Sequence, residues 1–216
     1  MRKLLTAVSL ALLASCGDSP GGPGTPADYM PVALGNHWEY DCTGFGTFAD
    51  TIDVELEGSM DIEITDTLRH DSGFPLFQVE IEQILVFYAD SSPIDTIPLL
   101  ETQYWREESG QVSIYESPGD STGEIIHSPP IEPGRIWYPG PDDPGGVYEV
   151  LSTDYTASVP FGNFADCAQI AYTNPEELLE QTDALAPGVG HVMRSGSMTD
   201  SLMSIQFELV LTDTNL

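Results

Sequence analysis

Lysine is almost missing from this chain. None follows Lys3, and Arg69, Arg106, Arg135 and Arg194 are the only basic residues beyond the N-terminal Arg2 and Lys3, against 35 aspartates and glutamates. The formal charge is −29, and without the first two basic residues it falls to about −31. A field of that sign repels phosphate backbones and anionic headgroups, which excludes DNA, RNA and peripheral lipid binding. It attracts cations and cationic partners, or serves only as a solvated surface suited to a salty habitat. Cysteine is scarce too, with 3 in the whole chain, which leaves room for one disulfide at most. The four histidines, His37, His70, His127 and His191, are scattered without HExxH spacing, so no zinc site is expected. No G-x-S-x-G elbow occurs, and Ser195-Gly196-Ser197 reads as a turn. Carboxylates are too common for any pair of them to mark a glycosidase-like site. Asp142-Asp143 lacks the spaced oxygen ligands of a calcium loop. The sequence therefore nominates no catalytic residue, no metal ligand and no cofactor, and an enzyme is not expected.

What is present begins with a basic start, Arg2-Lys3, followed by an apolar run from Leu4 to Leu13 and the small residues Ala14-Ser15. A run of about 10 residues is half the length that spans a bilayer, so it reads as a cleaved signal. The string Leu13-Ala14-Ser15-Cys16 resembles the lipobox of bacterial lipoproteins. That resemblance implies a signal over residues 1–15, thioether lipidation of Cys16 and a membrane anchor of several acyl chains. Gly17 in place of aspartate after the cysteine implies the outer membrane; the alternative is an ordinary secreted protein. Residues 16–27 hold four glycines and three prolines and read as a tether reaching on the order of 20 Å.

Residues 28–216 are long enough for one domain with its own core. Period two dominates. Trp38, Tyr40 and Cys42 alternate with His37, Glu39 and Asp41, and from Ile52 to Ile64 every even position is apolar or glycine. Phe77, Val79 and Ile81 continue the pattern, then Ile84, Val86 and Tyr88 carry it in the opposite phase, which predicts a bulge near Gln83. Glu108-Ser109-Gly110 reads as a hairpin turn. Val147 to Val159 alternates through Val147, Glu149, Leu151 and Tyr155, and Ile205, Phe207, Leu209 and Leu211 close the sheet. The stretch Val159 to Arg194 holds two strands, the first apolar on both sides, around Pro187-Gly188-Val189-Gly190. Asn174-Pro175-Glu176-Glu177 has the chemistry of a helix start and predicts a short helix from Pro175 to Gln181. The fold class is mainly β: a curved antiparallel sheet or half-barrel of about nine to eleven strands with one short helix. Pro31, Gly35 and Trp38 share their spacing with Pro130, Gly134 and Trp137, which marks either two equivalent corners or a coincidence.

The segments "YMPVALGNHWEYDC", "VPFGNFADCAQIAY" and "APGVGHVMR" together resemble a family of uncharacterised bacterial envelope lipoproteins. The resemblance rests on Tyr29, Pro31, Gly35, Trp38, Tyr40, Gly162, Phe164, Cys167, Ile170, Tyr172, Pro187 to Gly190 and Val192. It implies a half-barrel like that of periplasmic lipoprotein carriers. With Cys16 lipidated, Cys42 and Cys167 remain, either as a disulfide or as two separate buried thiols. Two functions stay open. One is a non-catalytic structural or interaction module with an envelope protein partner. The other is a carrier holding a hydrophobic ligand on a concave face built from Trp38, Tyr40, Ile52, Val54 and Leu56.

Overall fold

A computed structural model of the chain describes residues 28–49, 51–199 and 202–216. The signal, Cys16 and the tether lie outside the described residues. Twelve strands follow one another: β1 (His37–Phe48), β2 (Ile52–Arg69), β3 (Pro75–Ala89), β4 (Ser92–Glu108), β5 (Gln111–Tyr115), β6 (Glu124–His127), β7 (Ile136–Trp137), β8 (Val147–Val159), β9 (Gly162–Asn174), β10 (Leu179–Ala186), β11 (Gly190–Thr199) and β12 (Met203–Thr214). They form one antiparallel sheet in the order β6-β5-β4-β3-β2-β1-β12-β11-β10-β9-β8-β7. Two six-stranded meanders are thus joined where β1 pairs with β12. The edge strands, β6 and β7, are consecutive in the chain and tied to each other, since Ile125 N donates to Pro139 O and Trp137 Nε1 to Ile125 O. Across the interior β8 packs against β11 and β12, so the sheet curls around its own apolar face.

Alternation decides which face that is. Trp38, Tyr40 and Cys42 on β1, the even positions from Val54 to Ile64 on β2, and Ile205, Phe207, Leu209 and Leu211 on β12 all point inward and are buried, apart from partly buried Gly58. Glycines let β1 and β12 approach closely. A Cβ at Gly46 would stand 2.0 Å from Ser204 O, and one at Gly44 2.6 Å from Gln206 O, so neither inward position of β1 tolerates a side chain.

Several expectations are corrected. Among the described residues there is no helix: Asn174 Oδ1 does accept from Glu176 N and Glu177 N, as a cap would. The turn then ends at Leu178, whose φ of 50° leaves the helical region, and β10 starts at Leu179. A local cap loses here to long pairings on both sides of β10. No bulge occurs at Gln83; Val79, Ile81, Gln83, Leu85 and Phe87 all face inward, and Ile84 is exposed. On β8 the single alternation breaks at three register irregularities, so Tyr148 and Val150 bury at one end and Ala157 and Val159 at the other. In β9 a left-handed Asp166 (φ 56°) shifts the phase, which buries adjacent Cys167 and Ala168 in a strand otherwise apolar on one face.

The repeated Pro-x-x-x-Gly-x-x-Trp does mark two equivalent corners. Gly35 (φ 87°) donates to Ile64 O while Ile64 N returns to Asn36 O; Gly134 (φ 82°) donates to Val150 O while Val150 N returns to Arg135 O. Both tryptophans then enter their strands buried.

Candidate binding surface

The residues nominated as a ligand-holding face are packed core. Trp38, Tyr40, Val54 and Leu56 are at most 3% exposed, and Trp38, Tyr40 and Leu56 belong to one continuous cluster with Met60, Ile62, Leu209 and Leu211. Ile52 is the exception: at the tip of the β1–β2 hairpin it is 45% exposed. Cys42 and Cys167 are both buried and free. Four strand spacings, about 19 Å along the sheet, separate their strands β1 and β9, and no disulfide forms between them. Burial pushes the Cys42 thiol up to about 12.

Within the core sits a polar group that composition did not advertise. Asp183 on β10 and Arg194 on β11 stand opposite each other, with Arg194 Nε 2.5 Å from Asp183 Oδ1 and Nη2 2.8 Å from Oδ2. His191 lies beside them, its Nδ1 3.8 Å from Asp183 Oδ1, while its backbone oxygen accepts from Tyr40 Oη. Burial holds the His191 ring down to about 3, opposed by the Asp183 charge and reinforced by Arg194, and burial holds His127 to about 4. Both rings are neutral at ordinary pH. Their Nδ1 and Nε2 atoms respectively have no hydrogen-bond partner among the described residues. Nearer the β6–β7 edge, Glu124 is raised to about 8, first by burial and then by Asp143, Glu177, Asp142 and Glu116. Asp143 itself accepts from Tyr172 Oη and Asn174 Nδ2, both at 2.7 Å, so its work is structural.

The outward face carries the charge. Asp213, Glu39, Asp61 and Glu82 are directly paired neighbours on β12, β1, β2 and β3, a row of four acids across four strands. Glu63 and Glu80 face each other in the next row, where His37 also sits. His37 Nε2 lies 3.2 Å from Asp61 Oδ1 and 3.9 Å from Glu39 Oε1, so one histidine and two acids are brought together that spacing alone kept apart.

Further round the same face two outward rows line a groove of about 770 Å³. One row is Ala171, Thr182, Ser195, Glu208 and Thr43; the other is Thr173, Glu180, Ser197, Gln206 and Phe45. Each runs β9-β10-β11-β12-β1. Thr43 and Phe45 then pair with Glu57 and Glu55 on β2, so both rows continue into acids. No basic residue lines the groove.

No known protein family matches the chain, and no curated protein does. Among solved structures it is similar to one assigned as an exported protein with a YmcC-like fold from Bacteroides fragilis, at 14% identity over 88% of this chain and 100% of that one, with a TM-score of 0.42. It is also similar to one assigned as a lipoprotein from Parabacteroides distasonis, at 16% identity over 89% and 100%, with a TM-score of 0.37. A third is a β-barrel-like protein of a domain of unknown function from Brucella abortus, at 12% identity over 85% and 100%, with a TM-score of 0.30. Likenesses at these scores identify no family and carry no argument about activity.

Proposed function

We propose that this chain is a cell-envelope protein anchored by lipid at Cys16 to the outer membrane, and that its β domain is a non-catalytic interaction module for cationic partners. The anchor rests on the Leu13-Ala14-Ser15-Cys16 string behind its basic start and apolar run. The module rests on the row Asp213-Glu39-Asp61-Glu82. Like charges directly opposite on a sheet destabilise it, so an acid at each of four adjacent positions is a costly surface unless positive charge meets it. The interior supports the same reading, because the side chains that a carrier would turn toward its ligand, Trp38, Tyr40, Val54 and Leu56, are buried, with Trp38, Tyr40 and Leu56 in the continuous core.

Expression of the full chain with its own signal in a bacterial host tests both parts. Cys16→Ser moves the protein from the membrane to the soluble fraction; a protein that stays soluble without the change has no anchor. Native mass spectrometry of the purified chain then yields the bare acylated mass. A further acyl-chain ligand released only on denaturation would replace the interaction module by a carrier.

A further inference from the structure

Resting on that interaction reading, we infer that the groove on the outward face of β9, β10, β11, β12 and β1 is the docking site, and that its occupant is an extended basic segment of a partner protein. The floor is built from short side chains, Thr182, Ser195, Ser197 and Thr43, so the backbone of a guest can lie close to the sheet. Across five strands the groove extends about 19 Å, room for about six extended residues. Glu180, Glu208 and Glu57 lie on alternate strands β10, β12 and β2, about 10 Å between neighbouring strands of that set, which is the reach of three extended residues. A guest in the polyproline II conformation, rising about 3.1 Å per residue with three residues per turn, would turn basic side chains three positions apart to one face and so to successive carboxylates.

One long flank of the groove opens onto apolar side chains. Phe45 lines it, and beyond Phe45 the hairpin tips expose Phe48, Leu178 and Leu202, all four between 41% and 61% exposed. The tips are joined, since Ala49 N donates to Leu202 O and Thr199 N to Leu178 O. Leu178 is held at a φ of 50°, an unusual backbone for a bulky residue that is also left in water. Charge settles the kind of occupant. A lipid surface of anionic headgroups and a second copy of this chain are both repelled, whereas a segment with spaced lysines or arginines and apolar residues between them complements the groove along its whole length.

The test uses the purified full-length protein in detergent and a fluorescent nonapeptide with lysine at every third position and leucine between, beside a counterpart with glutamate for lysine. The lysine peptide binds and the glutamate peptide does not. The double variant Glu180→Gln/Glu208→Gln weakens binding about tenfold, and Ser195→Trp, which fills the floor, weakens it at least as much. Asp95→Asn/Glu132→Gln, exposed acids outside both the groove and the row, stays within about twofold. Near-UV circular dichroism matching the parent certifies each fold. Equal losses from this control pair and from the groove overturn the groove alone and leave a diffuse acidic surface as the module. Failure of the parent protein to bind the lysine peptide overturns the groove and the cationic-partner reading together.

Discussion

Arg194 reaches Asp183 with two hydrogen bonds from directly across the β10–β11 ladder, and both side chains are at most 4% exposed. Desolvating the two charges costs several kcal/mol each, and their mutual bidentate contact offsets most of it. Their value lies in being kept together.

Removing one partner should therefore be worse than removing both. Arg194→Met leaves a buried carboxylate uncompensated and is expected to lower stability by about 3–5 kcal/mol. Asp183→Leu/Arg194→Met is expected to recover most of that loss in urea unfolding. A double variant as unstable as the single one would show that the pair contributes beyond its own charges.

Stability should peak near pH 6.5. His127 and His191 are depressed to about 4 and about 3, so below the usual histidine range the unfolded chain takes up protons that the folded chain refuses, and stability falls as pH falls. Glu124 is raised to about 8, so above the usual carboxylate range the folded chain holds a proton that the unfolded chain has lost, and stability falls as pH rises toward 8. Glu124→Gln should flatten the alkaline limb and leave the acidic limb in place. An unchanged alkaline limb in that variant would relieve Glu124 of the role.

Added salt should stabilise the fold. Repulsion along Asp213-Glu39-Asp61-Glu82 acts between exposed charges and is screened once the Debye length falls from about 30 Å at 0.01 M to about 10 Å at 0.1 M. Glu39→Gln removes a charge flanked by acids on both sides, and is expected to gain about 0.2–1 kcal/mol at low salt and less at high salt. A melting temperature indifferent to salt would mean that these acids do not strain the sheet.

Both core thiols should resist modification in the native protein. Cys42 is buried with its thiol held at about 12, and Cys167 is buried and also raised by loss of water contact. Thiol reagents should count neither until denaturant is added, and the intact mass should show no loss of two hydrogens. A pair oxidised after export would show that loss and require the strands to move.

Much of the fold was legible because period two speaks for itself wherever one face is wet. Asp53, Glu55, Glu57 and Asp61 announce the outside of β2 as plainly as Val54, Leu56 and Met60 announce its inside. An inward polar residue such as Gln83 looks like a change of phase, and the left-handed Asp166 makes a real change of phase look like a strand apolar on both sides. Asn174 caps its turn as its neighbours promised, yet whether a cap is followed by a helix depends on partners, here β9 and β11, that local chemistry does not contain. The groove was not legible at all. Glu180 and Glu208 are 28 positions apart, and only the register of β10, β11 and β12 brings them to one surface. Arg194 gave the nearest hint of the buried pair, as a lone basic residue in the apolar alternation of Val192 to Met198.

The pairing of β1 with β12 also sets a timetable. Trp38 lies against Thr214 and Phe48 against Met203, so the first strand waits for nearly the last residue of the chain before its outer edge is covered. The loop closed by that contact is close to the whole domain, and non-local pairing of this kind makes folding slow. Each meander can assemble from local hairpins as it emerges, but the molecule stays unfinished until the C-terminal strand arrives. A chain that cannot complete itself early stays open until its end arrives, and a truncation short of Met203 would leave β1 and β11 as two open edges for other chains to join.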